Sequence, residues 1–191
     1  MKLRRLLAFL ALVICLGSIG WRFYYHWQDH RFDAAIVDAA RRYGVDPALV
    51  KAVVWRESRF DPAAQGRKKE FGLMQIRAEA AGEWARAEKL ASFAPEQLFD
   101  PATNTLAGTW YLGKLLKRYP TTDNPLPYAL ADYNAGRTHV LRWAKGAANT
   151  NNAMFLEQMD FPGTRHYVKS VIRRYEYYRP RFPEHDPKRA R

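Results

Sequence analysis

The residue best placed to move a proton is a glutamate that closes an apolar helix. Glu57 follows Leu49, Val50, Val53, Val54 and Trp55 and precedes Ser58, Arg59 and Phe60. A carboxyl set among aliphatic and aromatic surface is desolvated, which disfavours the charged form and raises its pKa. A proton is then still held near neutral pH, as a general acid requires. The same stretch also fits a helix-terminal acid paired with Arg56 or Arg59, and its local context does not separate the two readings. The single cysteine, Cys15, excludes an intrachain disulfide and a cysteine-based zinc cluster. Ile14 stands before it, where a lipidation site wants a small residue.

The elements that must position Glu57 read as helices, with no convincing period-2 strand runs. Phe32 to Tyr43 forms a helix stopped by Gly44. Asp46-Pro47 gives an N-cap and a first-turn proline that open the helix carrying Glu57, which ends near Ser58. A loop follows to Phe71, and Gly72 to Ile76 leads into an alanine-rich helix ending near Glu88. Asp100-Pro101 repeats the cap-plus-proline signal and starts a helix to about Tyr119. Residues 120–127 are a linker, with Pro127 opening a helix over Tyr128 to Asn134. Gly136 separates it from Thr138 to Lys145, a short helix surrounds Phe155, and Thr164 caps a last helix from Arg165 to about Tyr178. The expectation is a mainly α domain of about seven helices over residues 32–180, with a basic tail at 181–191.

The chain has 191 residues and a formal net charge of +12. Lys2, Arg4 and Arg5 precede an apolar run from Leu6 to about Trp21, the pattern of an export signal. Phe23, Tyr24, Tyr25 and Trp27 extend it as an aromatic belt, which favours an uncleaved anchor over residues 1–28 against cleavage after Gly20. The domain after it is then exported, into the periplasm, and held at the inner membrane. A basic domain suits an anionic partner. Export and the lack of a recognisable binding motif argue against nucleic acid and favour acidic wall peptides or phospholipids. Aromatics make up 14% of the residues, which fits core packing for most of them and a sugar-stacking groove for a few.

Four fragments sharpen the picture. Residues 57–62 read Glu-Ser-Arg-Phe-Asp-Pro, residues 72–76 Gly-Leu-Met-Gln-Ile, residues 131–136 Ala-Asp-Tyr-Asn-Ala-Gly, and residues 164–171 Thr-Arg-His-Tyr-Val-Lys-Ser-Val. In this order and spacing, over residues 34–178, the chain resembles the soluble lytic transglycosylase family, related in fold to goose-type lysozyme. That resemblance implies a lysozyme-like fold and Glu57 as the catalytic acid and base. It implies Met74 and Gln75 lining the cleft, Tyr133 and Asn134 facing the glutamate, and Tyr167 closing the site. The implied reaction cuts the N-acetylmuramic acid–N-acetylglucosamine bond of peptidoglycan and leaves a 1,6-anhydro end. It requires no metal and no organic cofactor. Tyr133 is then expected to hydrogen-bond Glu57 and orient it.

The chain departs from the family pattern at three places. Gly66 stands where the family usually has a substrate-holding serine, Lys69-Glu70 where it has Gly-Ala, and Gly163 where a glutamate often precedes the threonine. Glu70 is therefore an unexpected acid near the site. It is either a structural partner of Arg67, Lys68 or a helix N-terminus, or a second carboxylate that binds substrate or activates water. The alternatives to transglycosylation are a hydrolytic muramidase using Glu57 and Glu70, and a catalytically silent peptidoglycan-binding scaffold.

Overall fold

The computed structural model describes residues 2–181; the expected basic tail lies almost wholly outside them. The chain divides into a segment up to Asp33 and a compact unit from Ala34 onward. The segment is helix α1, Lys2–His30. Its length and composition suffice to cross a bilayer, with a mean hydropathy of 2.0 over its best window. Trp21, Phe23, Tyr24, Tyr25 and Trp27 are all exposed along its last third.

The compact unit holds α2 (Asp33–Tyr43, from its second residue), α3 (Pro47–Ser58), strands β1 (Glu70–Phe71) and β2 (Ile76–Arg77), then α4 (Ala78–Ala87), α5 (Pro101–Leu116), α6 (Pro125–Ala135), α7 (Arg137–Trp143), α8 (Asn152–Gln158) and α9 (Pro162–Tyr178). Helix α3 is its axis. Every residue from Pro47 to Val54 is buried, Lys51 included, and burial on all faces marks a core helix rather than a surface one. Asp46 caps it by accepting from the Ala48 N–H at 2.8 Å. The other Asp46 oxygen takes the Tyr175 hydroxyl of α9 at 2.9 Å, so one cap residue also ties the two most extensively packed helices. Fully burying a side chain such as Val50, Val53 or Val54 contributes about 1.5–3 kcal/mol.

Strand structure was not expected, but β1 and β2 pair antiparallel, Glu70 with Arg77 and Phe71 with Ile76. Two residues per strand are too few for a period-2 pattern to register. A buried amide fixes this hairpin: Asn104 of α5 accepts from the Met74 N–H at 2.8 Å. It donates to the carbonyls of Phe71 at 2.8 Å and Leu98 at 2.7 Å. Gly72, at φ +66°, passes so close that an added Cβ would meet Leu98 O at 2.3 Å and Asn104 Nδ2 at 2.4 Å. Glycine is required there for conformation and for space.

Two helix starts differ from expectation. Helix α6 begins at Pro125 behind the Asn124 cap, not at Pro127; both prolines fall in the first turn, where backbone N–H groups lack helical partners anyway. Helix α9 begins at Pro162, with Phe161 at the N-cap. Thr164 therefore lies inside the helix, and its hydroxyl serves another purpose.

Candidate active site

Glu57 stands one residue before the end of α3, where the buried helix opens into a cleft of about 200 Å³. Arg59 and Phe60 follow with φ of 55° and 65°, so the chain turns away at once and leaves the carboxyl facing the cleft. Ser58 fastens the turn: its hydroxyl lies within hydrogen-bonding range of the carbonyls of Leu73, at 2.8 Å, and Val54, at 3.2 Å.

The residue as a whole is only partly buried, yet its carboxyl is desolvated, and burial pushes the pKa up to about 7. The Tyr167 hydroxyl and the Arg56 charge oppose the rise, and Glu70 adds to it. Tyr167, buried on α9, donates to Glu57 Oε1 at 2.6 Å. Burial, with the neighbouring Glu57 charge next in importance, lifts the Tyr167 phenol well above its ordinary range, so it stays a donor. The desolvated acid of the sequence reading is thus present in the structure, and its phenol partner comes from the last helix.

That partner corrects one expectation. Tyr133 does not hydrogen-bond Glu57; its hydroxyl donates to the Met74 carbonyl at 2.7 Å. It lines the cleft with Glu57, and burial, then the Glu57 charge, hold its phenol well above the usual range. Met74 is the second correction. Its side chain is fully buried, pressed so tightly on Gly108 that a Cβ there would meet its sulfur at 2.5 Å. It presents its carbonyl to Tyr133 rather than its side chain to the cleft.

Gln75 and Asn134 do line the cleft. Gln75 adopts φ 46° and donates from Nε2 to the carbonyls of Ala64 at 3.0 Å and Gly72 at 2.9 Å. Asn134 accepts at Oδ1 from the Thr164 hydroxyl at 2.9 Å, the purpose left to a threonine that is not a cap. Its neighbour Asp132 is buried against Arg118 at 2.7 Å and the Tyr119 hydroxyl at 2.5 Å. That network anchors the turn of α6 that carries Tyr133 and Asn134.

Glu70 shares the cleft with Glu57 but is held differently. Oε2 accepts from the Lys68 N–H at 2.8 Å, and Oε1 faces Arg77 at 3.3 Å. Gly66 makes room for it, since a Cβ there would meet Glu70 Oε2 at 2.3 Å. Two departures from the family pattern are therefore one feature: the carboxylate occupies the place a side chain at position 66 would take.

Sequence reasoning missed Tyr111, Asp132 and Arg77 in the lining. Asp132 stood inside a quoted fragment, but nothing in its type or spacing showed that it faces inward. Among the described residues, no group of three or more His, Cys, Asp or Glu is arranged to hold a metal ion.

Residues 34–156 match the Transglycosylase SLT domain family. The chain is 35% identical over 158 residues to the membrane-bound lytic murein transglycosylase C of Shigella sonnei (strain Ss046), covering 78% of this chain and 44% of the relative. The fold is similar to an inactive mutant of the lytic transglycosylase Slt from Pseudomonas aeruginosa, with a TM-score of 0.71 and 26% identity over 78% of this chain and 24% of that one. It is also similar to the 70 kDa soluble lytic transglycosylase from Escherichia coli, with a TM-score of 0.69 and 27% identity over 83% and 29%. The chain thus spans less than half the length of these relatives, and its mainly helical unit has their lysozyme-like transglycosylase fold. The chain belongs to the SLT transglycosylase domain family.

Proposed function

We propose that this chain is a membrane-anchored peptidoglycan lytic transglycosylase in which Glu57 serves as both acid and base. The observation that carries this reading is the Glu57 carboxyl itself, in an open cleft, with its pKa pushed up to about 7 by burial. Tyr167 engages Oε1, which leaves Oε2 to carry the proton. Glu57 gives that proton to the oxygen linking N-acetylmuramic acid to N-acetylglucosamine, and the C1–O bond breaks. The substrate's acetamido group and nearby carbonyls steady the positive charge at C1. The C6 hydroxyl of the same sugar then attacks C1 and returns its proton to Glu57. The acid is regenerated, no water is consumed, and the product ends in a 1,6-anhydro ring. An internal nucleophile is already positioned, so no second carboxylate is needed to hold a water.

The hydrolytic alternative would give Glu70 the task of activating water. Both of its oxygens already face donors, Lys68 N–H and Arg77, which favours a structural or binding role. Helix α1, with Lys2, Arg4 and Arg5 at its start, supports an anchor in the inner membrane that holds the domain in the periplasm against its substrate. Glu57→Gln is expected to lower glycan cleavage by about two to four orders of magnitude with an unchanged circular dichroism spectrum. A variant retaining more than about a tenth of the activity would remove Glu57 from the acid/base role.

A further inference from the structure

Glu57 must serve in two charge states within one turnover, and only one of them suits a desolvated site. As an acid it is neutral. Once its proton has gone to the glycosidic oxygen it is an anion, and burial penalises an anion. A direct ion pair would favour the second state and ruin the first, because a carboxylate beside a cation gives up its proton well below neutral pH. The structure shows a third arrangement.

Arg56 precedes Glu57 on α3, and residues one apart on a helix do not face each other. Its half-buried guanidinium turns to the Tyr167 ring, with Cζ 5.2 Å from the centroid. The hydroxyl of that ring donates to Glu57 Oε1 at 2.6 Å. One buried phenol therefore joins a cation on its face to a carboxyl at its hydroxyl. Among the described residues no hydrogen bond joins Arg56 to Glu57, and Arg56 acts on the carboxyl through its charge. Two neighbouring cations lie elsewhere: Arg59 stacks on the Trp55 ring at 3.5 Å and Arg174 at 4.2 Å.

The other groups around the carboxyl do not favour its anion. Tyr133 of α6 gives its hydroxyl to Met74 O, and Tyr111 of α5 packs on the Tyr133 ring at 5.7 Å between centroids. Glu70 of β1 brings a like charge, and Arg77 of β2 faces Glu70. Asp132 is held by Arg118 and Tyr119. Burial and the Glu57 charge lift the Tyr167 phenol, and Arg56 pulls it back. A cation over an aromatic face is attracted to the ring's electron density and polarises it, which makes the O–H a stronger donor to a carboxylate.

We propose that Arg56 is a positioning residue for the reaction: from the face of the Tyr167 ring it strengthens the phenol's hydrogen bond to Glu57 and so steadies the carboxylate between its two proton transfers. The proposal rests on Glu57 as acid and base and adds what supports its charged state.

Kinetics of the full chain in detergent, on soluble glycan oligomers and across the alkaline limb of the pH–rate profile, tests this. Arg56→Met should lower kcat by about three- to tenfold with KM unchanged and move the limb upward by about half a unit. Arg56→Lys, which keeps a cation within reach of the ring, should restore most of both. In a Tyr167→Phe background, Arg56→Met should lose most of its effect. A raised KM with the limb in place would make Arg56 a substrate contact, and an equal shift with and without the Tyr167 hydroxyl would show its charge acting without the phenol. Either result overturns the proposal. Arg56→Gln gives the same reading should circular dichroism show the Met variant poorly folded. Glu57→Gln in the same assay keeps the two claims apart. If it retains activity, the acid/base reading fails; if it is inactive while the limb ignores Arg56, the positioning role alone fails.

Discussion

Two carboxylates share one cleft, and almost everything around them differs. Glu57 ends a helix buried on all sides, receives one phenol hydrogen bond, and holds its proton up to about pH 7. Glu70 lies on a two-residue strand beside exposed Arg77 and the Lys68 N–H. The side chains are chemically the same, so environment assigns the roles: desolvation makes Glu57 a proton donor, and the donors beside Glu70 hold its carboxyl in place. The contrast extends to their supports, since Glu57 rests on the core and Glu70 on a space that exists because residue 66 has no side chain.

The largest expected effect comes from exchanging each acid for its amide. Glu57→Gln should cost about two to four orders of magnitude in kcat, while Glu70→Gln should leave catalysis within about tenfold of wild type. Steady-state kinetics on purified glycan checks this. Comparable losses in the two variants would erase the distinction.

Stability should move in the opposite sense to activity. A carboxyl whose folded pKa is raised from 4.5 to about 7 lends its full contribution below pH about 4.5, and that contribution is lost as pH rises through about 7. Gln has no such dependence. Glu57→Gln should therefore be more stable than wild type at pH 9, by roughly 3 kcal/mol relative to the difference at pH 4. Denaturant unfolding at the two pH values measures it, and an unchanged gap would mean that the carboxyl is not desolvated.

Tyr167→Phe should lower kcat and kcat/KM together by roughly 10- to 100-fold. Because the Tyr167 hydroxyl lowers the Glu57 pKa, its loss should also move the alkaline limb of the pH–rate profile upward. Tyr133→Phe should leave that limb in place, since its hydroxyl serves Met74 O. A limb that follows Tyr133 instead would reverse the assignment of the two phenols.

The smallest effect probes the second acid. Gly66→Ser should destabilise by about 1–3 kcal/mol through its clash with Glu70 Oε2. Adding Glu70→Ala should recover most of that loss. Thermal unfolding of the cycle reads the coupling, and an additive double variant would show that the two positions are independent.

Much of this was legible in the sequence, for reasons that show where legibility ends. Glu57 stood out locally as a carboxyl behind an apolar helix, but that context also fitted a helix-terminal ion pair, and only the four ordered fragments singled it out as the acid. Asp46-Pro47 and Asp100-Pro101 fixed two helix starts because capping is local chemistry. Which tyrosine reaches Glu57 is not local: it depends on how α9 lies along α3, and the expectation chose Tyr133 over Tyr167. Met74 was expected in the cleft because the resemblance implied it, but its side chain is buried against Gly108. Asn104, which holds the hairpin, carries no signal of its own, because its partners lie at Phe71, Met74 and Leu98. Gly66 and Glu70 were visible as two departures, but only their contact shows that each accounts for the other.

The central claim is that one desolvated carboxyl, with an internal sugar hydroxyl as nucleophile, is enough. The mass of the products released by the wild-type chain from purified glycan strands tests it most directly. Anhydro ends, lighter than hydrolysed ends by one water, are the expected dominant species. A digest dominated by reducing ends would contradict the claim and return Glu70 to consideration as the group that activates water.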